Sequence, residues 1–258
     1  MEKRDLSQKN DKLVVENLSM VFSKNQILKN VSFTVKDGEI ISILGASGCG
    51  KTTILRILIG LLQPTGGRIY KDGRDITQLP SSQRGMGIVF QNYALFENMT
   101  VLGNVEYALK CDKSKRATAR ETAMSLIRRV GLADYVDHMP RQLSGGQQQR
   151  VAIARTLAMQ PDVILLDEPM SALDAETRLT LRGELQSIQK EFGTTMIYIT
   201  HDQEEAFALS DRIIVMRDGE IQQMDTPQNI VQAPANEFVK RFVCDNLRIK
   251  IDSLSRFA

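Results

Sequence analysis

One feature limits the folds available to this sequence more than any other: a nearly unbroken apolar run that ends in a glycine-rich turn. Residues 40–44 read Ile-Ile-Ser-Ile-Leu, which is typical of a strand buried on both faces of a parallel sheet. Glycines follow at 45, 48 and 50, and apolar residues recur with helical spacing between 52 and 62. A strand, a tight loop and a helix in this order open a parallel α/β layer. We therefore predict an α/β fold with this strand in its central sheet.

The loop itself has the spacing of a phosphate-binding loop. Glycines allow backbone N–H groups to turn inward around phosphate oxygens, and the helix that follows offers its positive N-terminal end. Lys51 is expected to reach the β- and γ-phosphates, and the Thr52 hydroxyl to bind Mg²⁺. A glycine-rich turn that matches by chance is the alternative. The candidate nucleotide-binding residues of this loop are Gly45, Ala46, Ser47, Gly48, Cys49, Gly50, Lys51, Thr52 and Thr53.

A second apolar strand, at 163–166, ends in an acidic pair. Ligands of open parallel sheets bind beyond the carboxyl ends of the strands, so Asp167 is expected to hold the Mg²⁺ shell. Glu168 comes next and is a candidate general base that polarises an attacking water. An exposed acidic turn after a strand is the alternative, but the phosphate loop earlier in the chain favours the metal and base roles.

The rest of the chain indicates how the α/β core is organised. Alternating apolar residues at 13–15 and 31–35 predict antiparallel strands, and further strands are expected at 195–199 and 213–216. Helices are expected at 114–130, 146–159, 174–191 and 202–209. We predict an α/β core at 13–92 and 160–243, a helical subdomain at 93–159, and a short C-terminal tail at 244–258.

The composition gives no indication of a nucleic-acid-binding, disulfide-rich or membrane-spanning protein. Lys and Arg number 33 against 31 Asp and Glu, so net charge gives no argument for binding nucleic acid or anionic lipid. The three cysteines, Cys49, Cys111 and Cys244, form no metal or disulfide pattern, and free thiols suit a reducing intracellular compartment. The sequence lacks an apolar run of about 18 residues, so we expect any membrane role to come through a partner.

Residues 143–147, Leu-Ser-Gly-Gly-Gln, resemble the signature sequence of ATP-binding cassette (ABC) ATPases. They lie between the phosphate loop and the acidic pair, as in that family. Gln91 resembles the Q-loop glutamine, the run 171–174 (Ser-Ala-Leu-Asp) resembles the D-loop, and His201 resembles the switch histidine. Phe22 stands where the family has an aromatic residue that stacks on adenine. The resemblance extends from residue 13 to about 243.

Each of these elements has a structural alternative when it is taken alone. Residues 144–146 would suit a plain helix N-cap turn, and Gln91 would be an ordinary surface amide. His201 would be a structural histidine, and Phe22 a core or surface packing residue. Their common order along one chain favours the functional interpretation.

The resemblance implies a fold, two ligands and a set of site residues. The fold is a P-loop NTPase (RecA-like) core with an antiparallel β subdomain and a helical ABC insertion, and the ligands are ATP and Mg²⁺. Thr52, Gln91 and Asp167 would bind the metal, and Glu168 and His201 would be catalytic. The nucleotide-binding residues implied outside the phosphate loop are Phe22, Gln91, Ser144, Gly145, Gly146, Gln147 and Asp174.

Within the family, residues 85–96 are similar to the importer branch that serves spermidine/putrescine, iron(III), sulfate and aminoethylphosphonate. Glu97 departs from that branch, which usually has proline there, and many members continue past the position of Ala258 into a small β-rich regulatory domain. The resemblance implies a subunit that hydrolyses ATP at the cytoplasmic face of the membrane to power a binding-protein-dependent importer.

The implied partners are a second copy of the chain or a paralogous cassette, transmembrane permease subunits and, indirectly, an extracytoplasmic solute-binding protein, with no nucleic acid. Tyr93, Leu95 and Phe96 would line the groove that docks on the permease. A soluble ABC ATPase of translation or DNA repair is the alternative, although this chain has neither two cassettes nor a long coiled-coil insertion. A nucleotide-dependent interaction module without turnover is a third possibility, and intact Glu168 and His201 argue against it.

Overall fold

The computed structural model describes residues 11–171 and 173–255. Its strands are β1 (Asp11–Phe22), β2 (Asn25–Lys36), β3 (Ile40–Gly45), β4 (Gly66–Lys71), β5 (Arg74–Asp75), β6 (Met86–Val89), β7 (Val163–Asp167), β8 (Thr195–Thr200), β9 (Arg212–Arg217) and β10 (Glu220–Asp225). Its helices are α1 (Lys51–Ile59), α2 (Val101–Cys111), α3 (Ala119–Arg129), α4 (Gly145–Leu157), α5 (Ala175–Phe192), α6 (Gln203–Leu209), α7 (Pro227–Gln232), α8 (Glu237–Val239) and α9 (Asn246–Ser255). Across the described ranges, no helix is long and apolar enough to cross a bilayer.

The chain forms two compact units. The first contains the described residues up to Arg84 and those from Thr195 onward, and the second contains residues 85–194. The proposed boundaries of the α/β core, the helical subdomain and the tail stay predictions. Within the range 93–159, the secondary structure is helical, with α2, α3, α4 and short 3₁₀ turns.

The first unit holds an antiparallel sheet in the order β2-β1-β4-β5. Val15 pairs with Phe33 across β1 and β2, so the two predicted alternating strands lie side by side as expected. Their inward residues are buried, and the outward ones are half-buried or exposed. A two-residue turn at Ser23 and Lys24, both with positive φ, joins them and places Phe22 at the end of the hairpin.

The same unit holds a second group of strands in the order β10-β9-β3-β8. β3 is buried along its whole length because it pairs in parallel with β8 on one side and β9 on the other. A cluster of buried apolar residues covers this layer. It consists of Leu44, Ala206, Ile213, Val215, Ile230, Val239 and Val243, with Phe207, Phe238, Phe242 and Leu247 packed against it.

The second unit combines a parallel strand pair with helices. β6 pairs with β7 in parallel, with Val89 opposite Leu166. α2 packs against both α3 and α4, and their facing sides are buried. α4 is the helix that follows the signature-like residues, so the fold places that segment at a helix N-terminus.

Two predicted helices have different limits in the structure. The helix expected to reach residue 62 ends at Ile59, because Gly60 has φ +85° and Leu61 N–H bonds back to Arg56 O at 2.8 Å. The helix expected over 114–130 begins at Ala119. Asp112 Oδ1 accepts the Ser114 N–H at 2.9 Å and so forms a local turn that competes with a helix.

A buried arginine closes the end of α1. Arg84 is 1% exposed, and its guanidinium donates to Ile57 O and Leu58 O at 2.7 and 2.9 Å. It also donates to Leu79 O and Thr77 O, both at 2.8 Å. The last carbonyls of a helix lack N–H donors within the helix. The guanidinium of Arg84 supplies donors for two of them.

We predict that Arg84→Met lowers the free energy of unfolding by about 3 kcal/mol, because buried carbonyl groups lose their donors. Urea denaturation followed by circular dichroism would measure the change. Arg74→Met is the matched control, since Arg74 is an exposed arginine of β5. Equal stability of the two variants would contradict this role for Arg84.

Candidate functional site

The phosphate-loop segment adopts a backbone that only glycine accommodates at key positions. Gly48 and Gly50 have φ +82° and +105°, in the left-handed region that favours glycine. A Cβ on Gly50 would lie 2.6 Å from Leu28 Cδ2, and one on Gly45 would lie 2.7 Å from Met216 O. The loop therefore turns sharply between the end of β3 and the start of α1.

The first turn of α1 suits an anion. It contains no acidic residue, and no side chain caps it. Lys51 is only 5% exposed, and its Nζ donates to Gly45 O at 2.8 Å and Ala46 O at 3.0 Å. Its ammonium is thus held against the loop, where a phosphate group would find both a positive charge and backbone N–H donors. Burial raises the pKa of the neighbouring Cys49 thiol, which keeps that side chain protonated.

His201 lies at the same edge of the sheet as the phosphate loop. Leu44 of β3 pairs with Thr200 of β8 in parallel, so Gly45 and His201 each follow one of two neighbouring strands. His201 is exposed. The first unit therefore brings these two predicted site segments together.

A buried carboxylate organises the turn that carries His201. Glu205 Oε2 accepts hydrogen bonds from Tyr198 OH at 2.6 Å and Thr200 Oγ1 at 2.8 Å. Thr200 Oγ1 in turn accepts the Asp202 N–H at 2.9 Å. Asp202 caps α6 by accepting from Glu204 N at 2.8 Å. His201 thus stands between two residues whose positions are fixed. Glu205 is not among the site residues predicted from the sequence.

We predict that Glu205→Ala speeds amide hydrogen exchange at Asp202 and lowers the free energy of unfolding by about 2 kcal/mol, because two buried hydroxyls lose their acceptor. Glu205→Gln keeps an acceptor oxygen of similar reach and should change both quantities much less. Hydrogen exchange by NMR and urea denaturation would measure the effects. Unchanged exchange at Asp202 in the alanine variant would remove Glu205 from this role.

In the second unit, the acidic pair and Gln91 lie at the carboxyl ends of two neighbouring parallel strands. β6 and β7 run in parallel, so Gln91 follows β6 where Asp167 ends β7. Asp167 is buried at that end, and Glu168 is half-buried. Glu168 has φ +44°, a strained backbone for a residue other than glycine, and such strain is concentrated at functional sites.

Ser171 joins the glutamine to the glutamate. Gln91 Nε2 donates to Ser171 Oγ at 3.1 Å, and Ser171 Oγ donates to Glu168 O at 3.0 Å. The Ser171 N–H also donates to Glu168 O, at 3.2 Å. Ala172, the second residue of the D-loop-like run, lies outside the described residues.

The signature-like residues begin α4. Ser144 is the N-cap and accepts the Gln147 N–H at 3.3 Å, while Gln147 Oε1 accepts the Ser144 N–H at 2.8 Å. This reciprocal pair is a capping box, so both side chains have a structural task. A Cβ on Gly146 would lie 2.8 Å from Thr177 Cγ2, which explains the need for glycine there.

Asp174 begins α5 beside this helix start. Its Oδ1 accepts the Thr177 N–H at 2.9 Å, and its Oδ2 accepts from Thr177 Oγ1 at 2.7 Å. These hydrogen bonds, the backbone one first, hold the pKa of Asp174 below its usual value. Asp174 is therefore a helix cap in this unit, and its predicted role in nucleotide binding stays a prediction.

The segment after Gln91 differs from our expectation. Tyr93 is 6% exposed and so does not line an open groove, and it shares positive φ with Ala94, at +59° and +47°. Arg155 of α4 holds this turn by donating to Tyr93 O at 2.9 Å and Ala94 O at 2.7 Å. Phe96, in contrast, does line a cavity of about 290 Å³ together with Tyr107, Met159 and Arg155.

Similarity to known proteins identifies the family of this chain. The family model described as ABC transporter matches residues 28–171, more than half of the sequence. The chain belongs to the ABC transporter family. Our family prediction from the signature, Q-loop and D-loop patterns is thereby confirmed, and so is the predicted P-loop NTPase fold.

Two curated relatives of this ABC protein are import subunits. The Fe(3+) ions import ATP-binding protein FbpC of Agrobacterium fabrum is 47% identical over 231 residues, which are 90% of this chain and 65% of the relative. The spermidine/putrescine import ATP-binding protein PotA of Marinobacter nauticus is also 47% identical over 231 residues, covering 90% of this chain and 62% of the relative. The chain thus spans just under two thirds of the length of these relatives.

Two solved ABC structures resemble this one. The cbiO1 protein of Clostridium perfringens, part of the ABC transporter complex cbiONQ, aligns with a TM-score of 0.81 and 32% identity, over 88% of this chain and 92% of that one. The ATP-binding cassette MJ0796, in a dimeric post-hydrolysis state bound to ADP and Pi, aligns with a TM-score of 0.74 and 35% identity, over 83% of this chain and 98% of that one.

Proposed function

We propose that this chain binds and hydrolyses ATP to power an ABC importer at the cytoplasmic face of a membrane. The phosphate loop carries the proposal: its glycine-restricted backbone and its buried Lys51 ammonium form a cradle that suits the β- and γ-phosphates. The import subunits named above support the transport role, with an iron(III) or polyamine type of solute as the cargo. The sulfate and phosphonate types rest only on the resemblance of residues 85–96 to the importer branch.

Adenine and phosphates would meet different parts of the first unit. Phe22 is 42% exposed at the end of its hairpin, so its ring can stack on a purine. Residues 45–53 would hold the phosphates through backbone N–H groups, as the loop geometry favours. His201 would contact the γ-phosphate from the neighbouring strand end.

The proposed metal ligands fit Mg²⁺ by their chemistry. Thr52, Gln91 and Asp167 offer a hydroxyl, an amide oxygen and a carboxylate, which are the hard oxygen donors that Mg²⁺ prefers. In the part of the chain that the structure describes, no cluster of three His, Cys, Asp or Glu side chains could hold a metal ion. A site completed by substrate phosphates and water needs no such cluster, and bound Mg²⁺ would neutralise the charge on the phosphates.

Glu168 is the proposed general base. Its carboxylate follows the buried end of β7, and Ser171 fixes its backbone through two hydrogen bonds. The carboxylate on this backbone would take a proton from water as the water attacks the γ-phosphate. His201 would then stabilise the charge that develops on the phosphate oxygens.

Two copies would complete the site. Ser144, Gly145, Gly146 and Gln147 of one copy would face the nucleotide on its partner, because a helix N-terminus with small residues admits a phosphate closely. Asp174 would act at the same interface. The dimeric solved cassette with ADP and Pi supports pairing of this kind. Binding of ATP to both halves would hold the dimer closed, and hydrolysis would release it.

The permease would dock on the second unit. The cavity beside Phe96 is mostly apolar and is lined by Met86, Tyr107 and Met159, so it suits an apolar segment of a membrane partner. Leu95, which precedes Phe96 in the chain, is half-buried and is not among the residues that line this cavity. A solute-binding protein would act through the permease and would not touch this chain. Sequence similarity to import subunits disfavours a translation or repair role.

We predict that Glu168→Gln retains ATP binding but lowers the turnover number by at least about 100-fold, because the general base is lost. The same variant should form a stable dimer when ATP is present. Phosphate release and size-exclusion chromatography would measure the two effects. Near-normal turnover in this variant would exclude Glu168 as the base.

We also predict that Ser144→Arg spares ATP binding but prevents dimer closure, because a long cation would fill the space of a phosphate. The test adds Ser144→Arg to the Glu168→Gln variant and follows its dimer by size-exclusion chromatography. Ser187→Arg, at an exposed serine of α5, is the control. A dimer that persists with Ser144→Arg would show that the signature residues do not face the partner's nucleotide.

A further inference from the structure

One serine stands between two of the proposed catalytic elements. Ser171 Oγ lies 3.1 Å from Gln91 Nε2 and 3.0 Å from Glu168 O. All three residues belong to the second unit. In the sequence, Ser171 is only the first residue of the D-loop-like run and has no predicted task of its own.

A hydroxyl has one proton, which restricts how Ser171 can bond. When that proton goes to Glu168 O, the Ser171 oxygen can only accept from its other neighbour. The Gln91 amide must then present its NH₂ group to Ser171. The two ends of an amide are chemically different but similar in shape, so their orientation is decided by such a network.

The orientation matters for the metal. A carboxamide binds a hard cation through its oxygen and never through its NH₂ group. With the NH₂ group engaged by Ser171, Gln91 Oε1 is the end that remains for Mg²⁺. The same hydroxyl also donates to the carbonyl of Glu168. Glu168 has a φ of +44°, and a strained backbone of this kind persists only where neighbouring contacts hold it.

We infer that Ser171 is a positioning residue: it selects the Gln91 amide orientation that binds Mg²⁺ and holds the backbone of Glu168. This inference rests on the proposed function, because it concerns the Mg²⁺ and ATP site. It assigns Ser171 a task within its own chain, without contact to the nucleotide.

The test measures how much Mg²⁺ strengthens nucleotide binding. A fluorescent ATP analogue is titrated into the whole chain in excess Mg²⁺ and again in EDTA, and the ratio of the two affinities is compared between variants. Ser171→Ala should reduce this ratio about two- to tenfold, the worth of one hydrogen bond, with unchanged affinity in EDTA. Ser171→Thr keeps the hydroxyl and should restore the ratio.

Matched controls separate this effect from a general loss of structure. Ser187 donates its hydroxyl to Gly183 O at 2.8 Å within α5, so Ser187→Ala removes a similar hydrogen bond elsewhere in the unit. It should leave the Mg²⁺ ratio unchanged. In ATPase assays, Ser171→Ala should need a higher Mg²⁺ concentration for half-maximal turnover than the unmodified chain does.

Several results would overturn the inference. These are an unchanged ratio in Ser171→Ala, an equal loss of affinity in EDTA, or failure of Ser171→Thr to restore the ratio. An increased ratio in Ser171→Ala would mean that the serine holds the amide the other way round. The proposed function fails by a different result, namely an unmodified chain that binds the analogue but does not hydrolyse ATP.

Discussion

The sharp turn between β3 and α1 is the constraint on which the rest of the structure depends. The chain must leave a fully buried strand and enter a helix within five residues, and left-handed glycines make this possible. The turn also sets Lys51 at the first position of the helix, where its ammonium bonds to carbonyls of the loop itself. A buried charge held in this way is costly unless it is satisfied, and a phosphate is the natural counter-charge.

The second unit uses local hydrogen bonds to hold strained backbone next to its candidate site residues. Glu168, Tyr93 and Ala94 all have positive φ, and each has a carbonyl held by a side chain from a neighbouring segment. Strain of this kind persists only where surrounding contacts over-determine the backbone. The residues that provide those contacts, Ser171 and Arg155, are therefore as informative about the site as the side chains that would touch the nucleotide.

Much of the fold could be predicted because the signals were local. The apolar run before Gly45 and the alternation in β1 and β2 predicted strands that the structure contains, and the motif order predicted the family. The ends of the helices were harder to predict. Gly60 ends α1 through its backbone angle, and Asp112 delays the start of α3 through a hydrogen bond, and apolar periodicity reveals neither. Glu205 and Arg155 escaped notice for a related reason: each acts on carbonyls or hydroxyls distant in sequence or hidden in the core. Tyr93 was expected at the surface because it is aromatic and follows Gln91, yet the left-handed turn directs it inward.

Arg155 has a mechanical consequence. It belongs to α4, the helix that Ser144 caps. Its guanidinium donates hydrogen bonds to the carbonyls of Tyr93 and Ala94, which lie two and three residues after Gln91. Its guanidinium also lies 5.6 Å from the Phe96 ring centre, beside the cavity. A tilt of α4 would therefore move the turn after Gln91 and the cavity lining together, unless the hydrogen bonds from Arg155 to Tyr93 O and Ala94 O broke. The turn after Gln91 and the cavity beside Phe96 are thus both tied to α4 through one side chain, Arg155.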